Sequence, residues 1–426
     1  MRLSFCSALI FICMANVTAR AQHQQMSLWF PFNGKARFLL GANLPWYNGY
    51  RGLDLAPYRG SKTIASVAYV IPKKQPWLTG RFGVGTDVQR PSVSIQPGST
   101  GFNAEGIEAQ FRDMQAIGIH VLRWFIGDDG RAFLLFDQNE NCTGIDPVGL
   151  ENLDRVMALA EANQVYLVPV LLNFRFISGD RLLRFEDGSA GPDHADVIRD
   201  SEKRRKLIEN FIQPLVKRYS KSNSVLYWEI MNEAGNVVEG VDTATGFRMG
   251  RQKKVAVPET FGSGRVSITE MRRFLNETYD AIKSVDQEHM IMPSGLARPW
   301  ELPLVVGQVK ADLFGAHYKD DGSDYDRIEP VAAIQSQLKQ TYGLVLDKPL
   351  VMTEGPSQLS RHLQDYLNGA YSGGWAGYFP WSYYGLIGVN DMKRYPHVNV
   401  SRSGDPNVEF YKAFNQLHAD AVSLGK

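Results

Sequence analysis

The chain has 426 residues, of which 44% are apolar and 21% are charged, and its formal net charge is +1. These values are ordinary for a globular protein, and the balanced charge gives no reason to expect binding to nucleic acid or to an anionic membrane. The length allows one large domain or two smaller ones.

The first element in chain order is a predicted secretion signal over residues 1–21. Arg2 supplies a positive start, Phe5 to Val17 form a short apolar run, and a small-x-small cleavage pattern ends at Ala21. The run is too short to span a bilayer, and an N-terminal anchor helix is the alternative interpretation. We therefore expect a secreted or periplasmic protein without a membrane span.

The cysteines support export without a disulfide. Cys6 and Cys13 fall inside the predicted signal, so the mature chain keeps only Cys142. An internal disulfide is then excluded, and a large core has to hold the exported chain together.

From residue 22 onward, apolar strand-like segments alternate with segments of helical spacing, which is typical of β/α units around a parallel sheet. Eight strands are predicted: Phe38–Leu44, His120–Phe125, Val165–Leu172, Val225–Ile230, Met290–Met292, Leu313–His317, Leu350–Thr353 and Trp375–Trp381. Eight such units predict an α/β fold of the (β/α)8 TIM-barrel type, which has about 250 residues before insertions.

Local signals mark the intervening helices. Asn103 is a candidate cap for the first, Pro214 is expected to kink a later one, and Ser267 with Glu270 forms a capping-box pattern. The extra length falls in Tyr47–Thr100 and Gly235–Gly264, which follow strands and so become long βα loops at the C-terminal face. With no linker or repeat, residues 22–426 are predicted to form one domain, and we expect a monomer.

Two of the predicted strands end on a carboxylate. Glu233 follows the fourth strand and Glu354 follows the seventh. Taken alone, each could be a solvated or capping glutamate. Strands four and seven lie on opposite sides of a barrel mouth, so the two side chains can face each other. Facing carboxylates are the groups that cleave a glycosidic bond.

The motif from Trp228 to Glu233 and the later Thr-Glu-Gly-Pro at Glu354 resemble glycoside hydrolase clan A, and family 5, the cellulase and mannanase family, is the closest likeness. Other strand ends match in the same order, so the resemblance runs from Gly41 to Trp381. These are Leu122-Arg123-Trp124, Ala316-His317-Tyr318 and Pro380-Trp381-Ser382-Tyr383.

The resemblance implies that Glu233 is the general acid/base and Glu354 the nucleophile of a retaining glycosidase. It also implies that Asn232 binds the hydroxyl beside the anomeric carbon and that Arg123 keeps the nucleophile ionised. It further implies that His317 and Tyr318 line the reacting subsite and that Trp381 is a stacking platform. The implied substrate-binding residues are therefore Arg123, Asn232, His317, Tyr318 and Trp381. From the residues alone, Arg123 could instead form a structural ion pair, and His317 and Trp381 could belong to the core.

The chain departs from the family pattern at three positions. Ala234 follows the acid/base where proline is usual, and Asn173 ends the third strand where many members have histidine. Tyr318 directly follows His317, and neighbouring strand residues point to opposite faces. Support of the nucleophile by Tyr325 in the next loop is therefore an open alternative to support by Tyr318.

The resemblance therefore implies a retaining hydrolase of β-linked glycans, of the β-mannan or β-glucan type, that acts by double displacement, and the aromatic loops favour an endo mode. No metal and no organic cofactor is implied, and the partner is an oligosaccharide or polysaccharide. The alternatives are a catalytically silent carbohydrate-binding barrel and a transglycosylase with the same residues. Loop aromatics could stack further sugars or simply pack: Trp46, Tyr47, Tyr50, Trp77 and Trp300.

Overall fold

The computed structural model describes residues 29–44, 55–67, 96–116, 118–178, 183–185, 193–238, 266–318, 328–355, 363–381 and 413–414. The predicted secretion signal and most of the two long connections lie outside the described residues. The same is true of Tyr325 and of four loop aromatics: Trp46, Tyr47, Tyr50 and Trp77.

Eight parallel strands close into a barrel, which confirms the predicted (β/α)8 fold. Each strand pairs with the next along the chain, and the last pairs with the first. In chain order the strands are β1 Leu39–Asn43, β2 Val121–Phe125, β3 Tyr166–Asn173, β4 Tyr227–Asn232, β5 Met290–Leu296, β6 Phe314–His317, β7 Leu350–Gly355 and β8 Gly377–Pro380. All eight predicted strands are present, with ends that differ by a few residues.

Helices cover the outside of the barrel. The α-helices are Ala104–Ala116, Pro147–Ala162, Arg175–Ser178, Ala195–Arg199, Ser201–Leu207, Gln213–Tyr219, Ile268–Val285, Val331–Tyr342 and Leu363–Ser372, with 3-10 turns at Ala234–Val237 and Pro299–Leu304. Short antiparallel pairs join Phe30–Phe32 to Lys35–Arg37, Ile64–Val67 to Leu183–Phe185, and Leu134–Phe136 to Cys142–Ile145. Within the described residues, no helix is both long and apolar enough to cross a bilayer.

Two of the helix signals of the sequence, the Asn103 cap and the capping box, act as predicted. Asn103 accepts a hydrogen bond from the amide of Gly106, and the Ser267–Glu270 capping box forms in both directions. A π-helical stretch, Ile208–Ile212, comes directly before the helix that contains Pro214. Proline lacks an N–H and clashes with the preceding turn, and the wider π turn accommodates it.

The barrel interior is layered. Val121, Arg123 and Phe125 are every second residue of β2, so their side chains point to the same face of the sheet. Each of the three belongs to a different layer along the barrel axis. A separate apolar cluster includes the first residues of several strands, and Phe30 from the N-terminal hairpin packs into it. Its other members are Leu39, Val121, Val168, Leu226, Tyr227, Met292, Leu313, Val351, Ala376 and Phe379. Arg123 follows Val121 by two residues on β2 and is fully buried, so the barrel interior carries a charge closer to the carboxyl ends of the strands.

Candidate active site

Glu233 is placed by an unusual backbone conformation at the end of β4. Its φ of 53° lies in the left-handed region, which non-glycine residues adopt at a cost and mainly where the surroundings enforce it. Its amide donates to the carbonyl of Gly295, 2.7 Å away, on the neighbouring β5. The carboxylate also accepts a hydrogen bond of 2.8 Å from Nδ2 of Asn236. The turn thus aims Glu233 across the barrel mouth.

Glu354 is placed by a β-bulge. Ala316 pairs with Met352 and His317 pairs with Glu354, so Thr353 is an extra residue on β7. A bulge of this kind redirects the side chains that follow it. The carbonyl of Glu354 also accepts a hydrogen bond of 2.8 Å from the amide of Tyr318. The bulge brings Glu354 to the mouth, opposite β4.

The two carboxylates lie close together around a histidine. Nδ1 of His317 is 3.0 Å from Oε1 of Glu233 and 3.3 Å from Oε2 of Glu354. The three atoms all lie within 4.8 Å of one another. Gly295 allows this crowding, because a Cβ there would come within 3.0 Å of Nε2 of His317. Carboxyl groups about 5–5.5 Å apart suit direct nucleophilic attack, whereas a larger gap is needed to place a water between them.

Arg123 joins Glu354 to a second carboxylate, Glu229, which is fully buried. Its Nε and Nη2 donate to the two oxygens of Glu229, at 2.7 and 2.6 Å, and its Nη1 donates to Oε1 of Glu354 at 3.1 Å. Burial alone would lower the pKa of Arg123, but the Glu229 carboxylate and the Glu354 carboxylate raise it above its usual value. The guanidinium therefore stays charged and supplies a fixed cation beside Glu354.

The position of Arg123 corrects one expectation about its role. The other N–H groups of Nη1 and Nη2 donate to Oδ1 of Asn43, at 2.9 Å, and to Oδ1 of Asn232, at 2.7 Å. An arginine has five N–H donors, and protein acceptors engage all of them. The side chain is also fully buried. Arg123 thus cannot be a direct sugar ligand, and it acts on a substrate only through the groups that it holds.

Asn232 lies between Arg123 and the third strand. Its Oδ1 accepts from Arg123, and its Nδ2 is 3.5 Å from Oδ1 of Asn173. Asn173 occupies the position where the resemblance would place a histidine. Asn232 is 3% exposed, beside Glu233 at 4% and Glu354 at 5%, so each of the three residues is buried except for a small exposed area.

The structure brings Trp381 to the barrel mouth but not Tyr318. Trp381 is partly exposed directly after β8, with its ring 6.3 Å from that of Phe125. Tyr318 instead lies in the layer between barrel and helices, edge-on to Trp375 at 5.6 Å, and its hydroxyl is 3.4 Å from the amide of Glu329. Adjacent strand residues point to opposite faces, and His317 occupies the inward position. The implied place of Tyr318 in the reacting subsite is therefore corrected.

Sequence reasoning missed three members of this network. Glu229 lies in the middle of an apolar strand, and such a charge signals a buried partner, which is Arg123. Asn43 ends β1 and donates to the carbonyl of Thr353 at 2.8 Å. Asn236 follows Glu233 by one turn, and nothing in the sequence distinguishes it from other loop asparagines.

Glu233, His317 and Glu354 also form the group of side chains that could hold a metal ion among the described residues. A nitrogen and two carboxylate oxygens are ligands that suit Zn²⁺. Glu233 and Glu354 are also the carboxylates that the family resemblance implies to be catalytic, so a bound cation would occupy the expected reaction site.

No protein-family model matches the chain, and no curated protein matches it in sequence. Solved structures do match. An endo-1,4-β-mannanase from Eisenia fetida has a TM-score of 0.55 and 20% identity, over 83% of this chain and 87% of that one. A β-1,4-mannanase from Aplysia kurodai has a TM-score of 0.55 and 17% identity, over 92% of this chain and 96% of that one. A β-mannanase from Mytilus edulis has a TM-score of 0.56 and 18% identity, over 87% of this chain and 95% of that one.

At these identities the likeness establishes the fold alone. The chain is therefore a TIM barrel similar to that of the mannanases, and these structural neighbours agree with the resemblance to glycoside hydrolase clan A, family 5, that its strand-end motifs indicate.

Proposed function

We propose that the protein is a retaining glycoside hydrolase that cleaves β-1,4-linked mannan within the chain. The observation that carries the proposal is the pair Glu233 and Glu354, each with one carboxylate oxygen within 4.8 Å of an oxygen of the other at the barrel mouth. Such close carboxyl groups support direct attack by one of them more than attack by a water held between them. The choice of mannan rests on the neighbours, which are mannanases by name.

In the first step, an oxygen of Glu354 attacks the anomeric carbon and the glycosidic carbon–oxygen bond breaks. Glu233 gives its proton to the departing oxygen, which leaves as a hydroxyl. The sugar is now an ester of Glu354. Nη1 of Arg123 is 3.1 Å from Oε1 of Glu354. Its positive charge stabilises the Glu354 carboxylate before the attack and again when the carboxylate is released from the ester.

In the second step, Glu233 takes a proton from water while the water oxygen attacks the anomeric carbon. The ester bond breaks, Glu354 returns as a carboxylate, and Glu233 is protonated again. Two inversions give net retention. In this mechanism Asn232 hydrogen-bonds the hydroxyl beside the anomeric carbon, and Trp381, which is partly exposed after β8, stacks on a sugar ring.

The first test is incubation with β-mannan, β-glucan and xylan. We expect mannan to be cleaved with a rapid fall in viscosity, and we expect the first product to keep the β configuration by NMR. An α product would exclude the covalent mechanism. Release of single mannose units without loss of viscosity would exclude the endo mode, and binding to mannan without product would indicate a silent barrel. Longer products than the substrate would indicate transglycosylation.

The second test assigns the two carboxylates. Glu354→Ala should lose activity by several orders of magnitude, and azide should restore turnover as an α-glycosyl azide, because the small anion fills the place of the nucleophile. Glu233→Ala should retain its first step on substrates with good leaving groups and yield a β-glycosyl azide. Glu288→Gln, at an exposed glutamate far from the cleft, is the matched control. Full activity in Glu354→Ala would show that the nucleophile is another residue.

A further inference from the structure

Asp128 is a carboxylate buried beside the site and so far without a role. The chain continues to pair with β3 after β2 ends, since the amides of Ile126 and Gly127 donate to the carbonyls of Val170 and Leu171 at 2.9 and 3.0 Å. Gly127 is required there, because a Cβ would come within 2.2 Å of the carbonyl oxygen of Leu171. Asp128 follows with φ of 33° and a fully buried side chain. Its placement is therefore rigid and energetically costly.

Asp128 holds Asn173 by two contacts. The main-chain oxygen of Asp128 accepts from the amide of Asn173 at 3.0 Å, and its Oδ1 accepts from Nδ2 of Asn173 at 2.8 Å. Burial, helped by Asp129, raises the pKa of Asp128 to about 6, while Arg175 and Arg131 limit the rise. Above that pH the ionised carboxylate is an acceptor only. Asn173 must then turn its NH2 group toward Asp128 and its oxygen toward Asn232.

The oxygen of Asn173 in turn faces Nδ2 of Asn232 at 3.5 Å. Arg123 fixes the other end of the same amide through Oδ1 at 2.7 Å. One hydrogen bond at Oδ1 still allows the amide plane to tilt, and a second contact at Nδ2 restricts that tilt. Nδ2 carries a second N–H, which the contact with Asn173 does not use and which can serve a substrate hydroxyl.

We propose that Asp128 and Asn173 are positioning residues that hold the amide of Asn232 in the orientation needed to bind the substrate hydroxyl beside the anomeric carbon. The inference rests on the proposed function and extends it to two residues that do not touch the substrate. The competing explanation is that Asp128 only anchors the turn 126–130 to β3.

A double-mutant cycle separates the two explanations. Asp128→Ala, Asn232→Ala and the double variant are compared with the wild type on dinitrophenyl β-mannobioside, whose good leaving group keeps slow variants measurable. Loss of the Asp128 acceptor should lower kcat/KM about tenfold in the wild-type background, mainly through kcat. In the Asn232→Ala background the same substitution should cost less than about twofold, because the group that Asp128 positions is gone.

Two further variants keep the cycle interpretable. Asp128→Asn can still present an oxygen to Nδ2 of Asn173, so it should keep at least about a third of the wild-type kcat/KM. Asp146→Ala removes another buried carboxylate, which caps the helix Pro147–Ala162. It should lower Tm without changing kcat/KM of the folded enzyme. If Asp128→Ala does not fold, Asn173→Ala takes its place in the cycle.

If Asp128→Ala lowered kcat/KM equally in the wild-type and Asn232→Ala backgrounds, the proposal would be overturned, because Asp128 would then have a purely structural role. A loss of kcat/KM in Asp128→Asn as large as that in Asp128→Ala would also overturn the proposal, since the hydrogen bond from Asn173 would then have no effect on catalysis. A wild type that cleaves no β-glycan would instead refute the proposed function.

Discussion

Replacing Arg123 by methionine should separate what this residue does for stability from what it does for catalysis. The substitution keeps most of the aliphatic volume but removes the cation and five N–H donors. Glu229 would then be a fully buried carboxylate whose strongest partner is gone, with only the amide of Gly295, at 3.0 Å, still bound to it. Glu354 would lose the cation 3.1 Å from its Oε1.

Breaking a buried ion pair from one side costs about 3–5 kcal/mol of unfolding free energy. A domain stable by about 5–15 kcal/mol survives this loss but becomes marginal. Adding Glu229→Gln removes the uncompensated charge and keeps an oxygen for the Gly295 amide, so it should recover at least half of the lost stability. It cannot recover activity, because Glu354 still lacks its cation. We expect kcat/KM to remain lower by roughly a hundredfold or more in both variants.

Urea unfolding followed by tryptophan fluorescence measures the unfolding free energy of each variant, and turnover of β-mannan measures its kcat/KM. Arg204→Met is the matched control. Arg204 is also buried, and it pairs with Glu277 at 2.6 Å on the outer helices, so its loss should lower stability without changing turnover. Wild-type kcat/KM in the double Arg123 and Glu229 variant would refute the reasoning, since Arg123 would then be a purely structural partner of Glu229. A loss of less than about 1 kcal/mol in Arg123→Met would refute the energetic part.

Three further predictions concern pH and metal binding. Burial opposes the charge of Asp286, but hydrogen bonds from His289 and Trp228 lower its pKa from 3.8 to about 2. This shift corresponds to about 2 kcal/mol of stability that is present above pH 4 and lost as the pH falls toward 2, so Asp286→Asn should lose that amount at pH 7 and nothing at pH 2 in urea unfolding. The ring of His194 stacks against those of Phe136 and Phe176, with centroid distances of 4.5 and 4.7 Å, and burial lowers the pKa of His194 below 6.5. Wild-type stability should therefore fall as the pH drops below 6.5, where the unfolded chain binds the proton more tightly, and His194→Phe should flatten this fall; an unchanged slope would show that another group is responsible. Zn²⁺ should bind at Glu233, His317 and Glu354 and inhibit competitively, and calorimetric binding that persists in His317→Ala would place the ion elsewhere.

Much of the fold could be predicted because barrel strands carry a strong local signal. The run ending at Asn232 and the run ending near Glu354 are continuous apolar segments bounded by polar residues, as buried parallel strands require. Alternation within such strands was also informative at Tyr318. It indicated that Tyr318 and His317 point to opposite faces, and the structure follows this rule and not the family resemblance.

The side-chain contacts and backbone turns of the site could not be predicted, because they depend on contacts between segments that are distant in the sequence. The pairing of Arg123 with Glu229 joins residues that are 106 positions apart, and no local pattern selects that partner. The bulge at Thr353 and the left-handed turn at Glu233 depend on the register of neighbouring strands. A sequence reveals that a strand ends on a carboxylate, but it does not reveal the last change of direction that aims it.

The contacts of Arg123 also bear on the order in which the barrel assembles. Asn43, Glu229 and Asn232 lie on β1 and β4, and only Glu354, on β7, comes from the second half of the barrel. A nascent chain that has released β1 to β4 already contains a counter-ion for the guanidinium, so we expect the first half barrel to collapse around this charge during synthesis. The strand that carries Glu354 then docks onto a preformed cationic surface. A fragment ending at Val238 should accordingly resist protease better than the same fragment with Glu229→Ala.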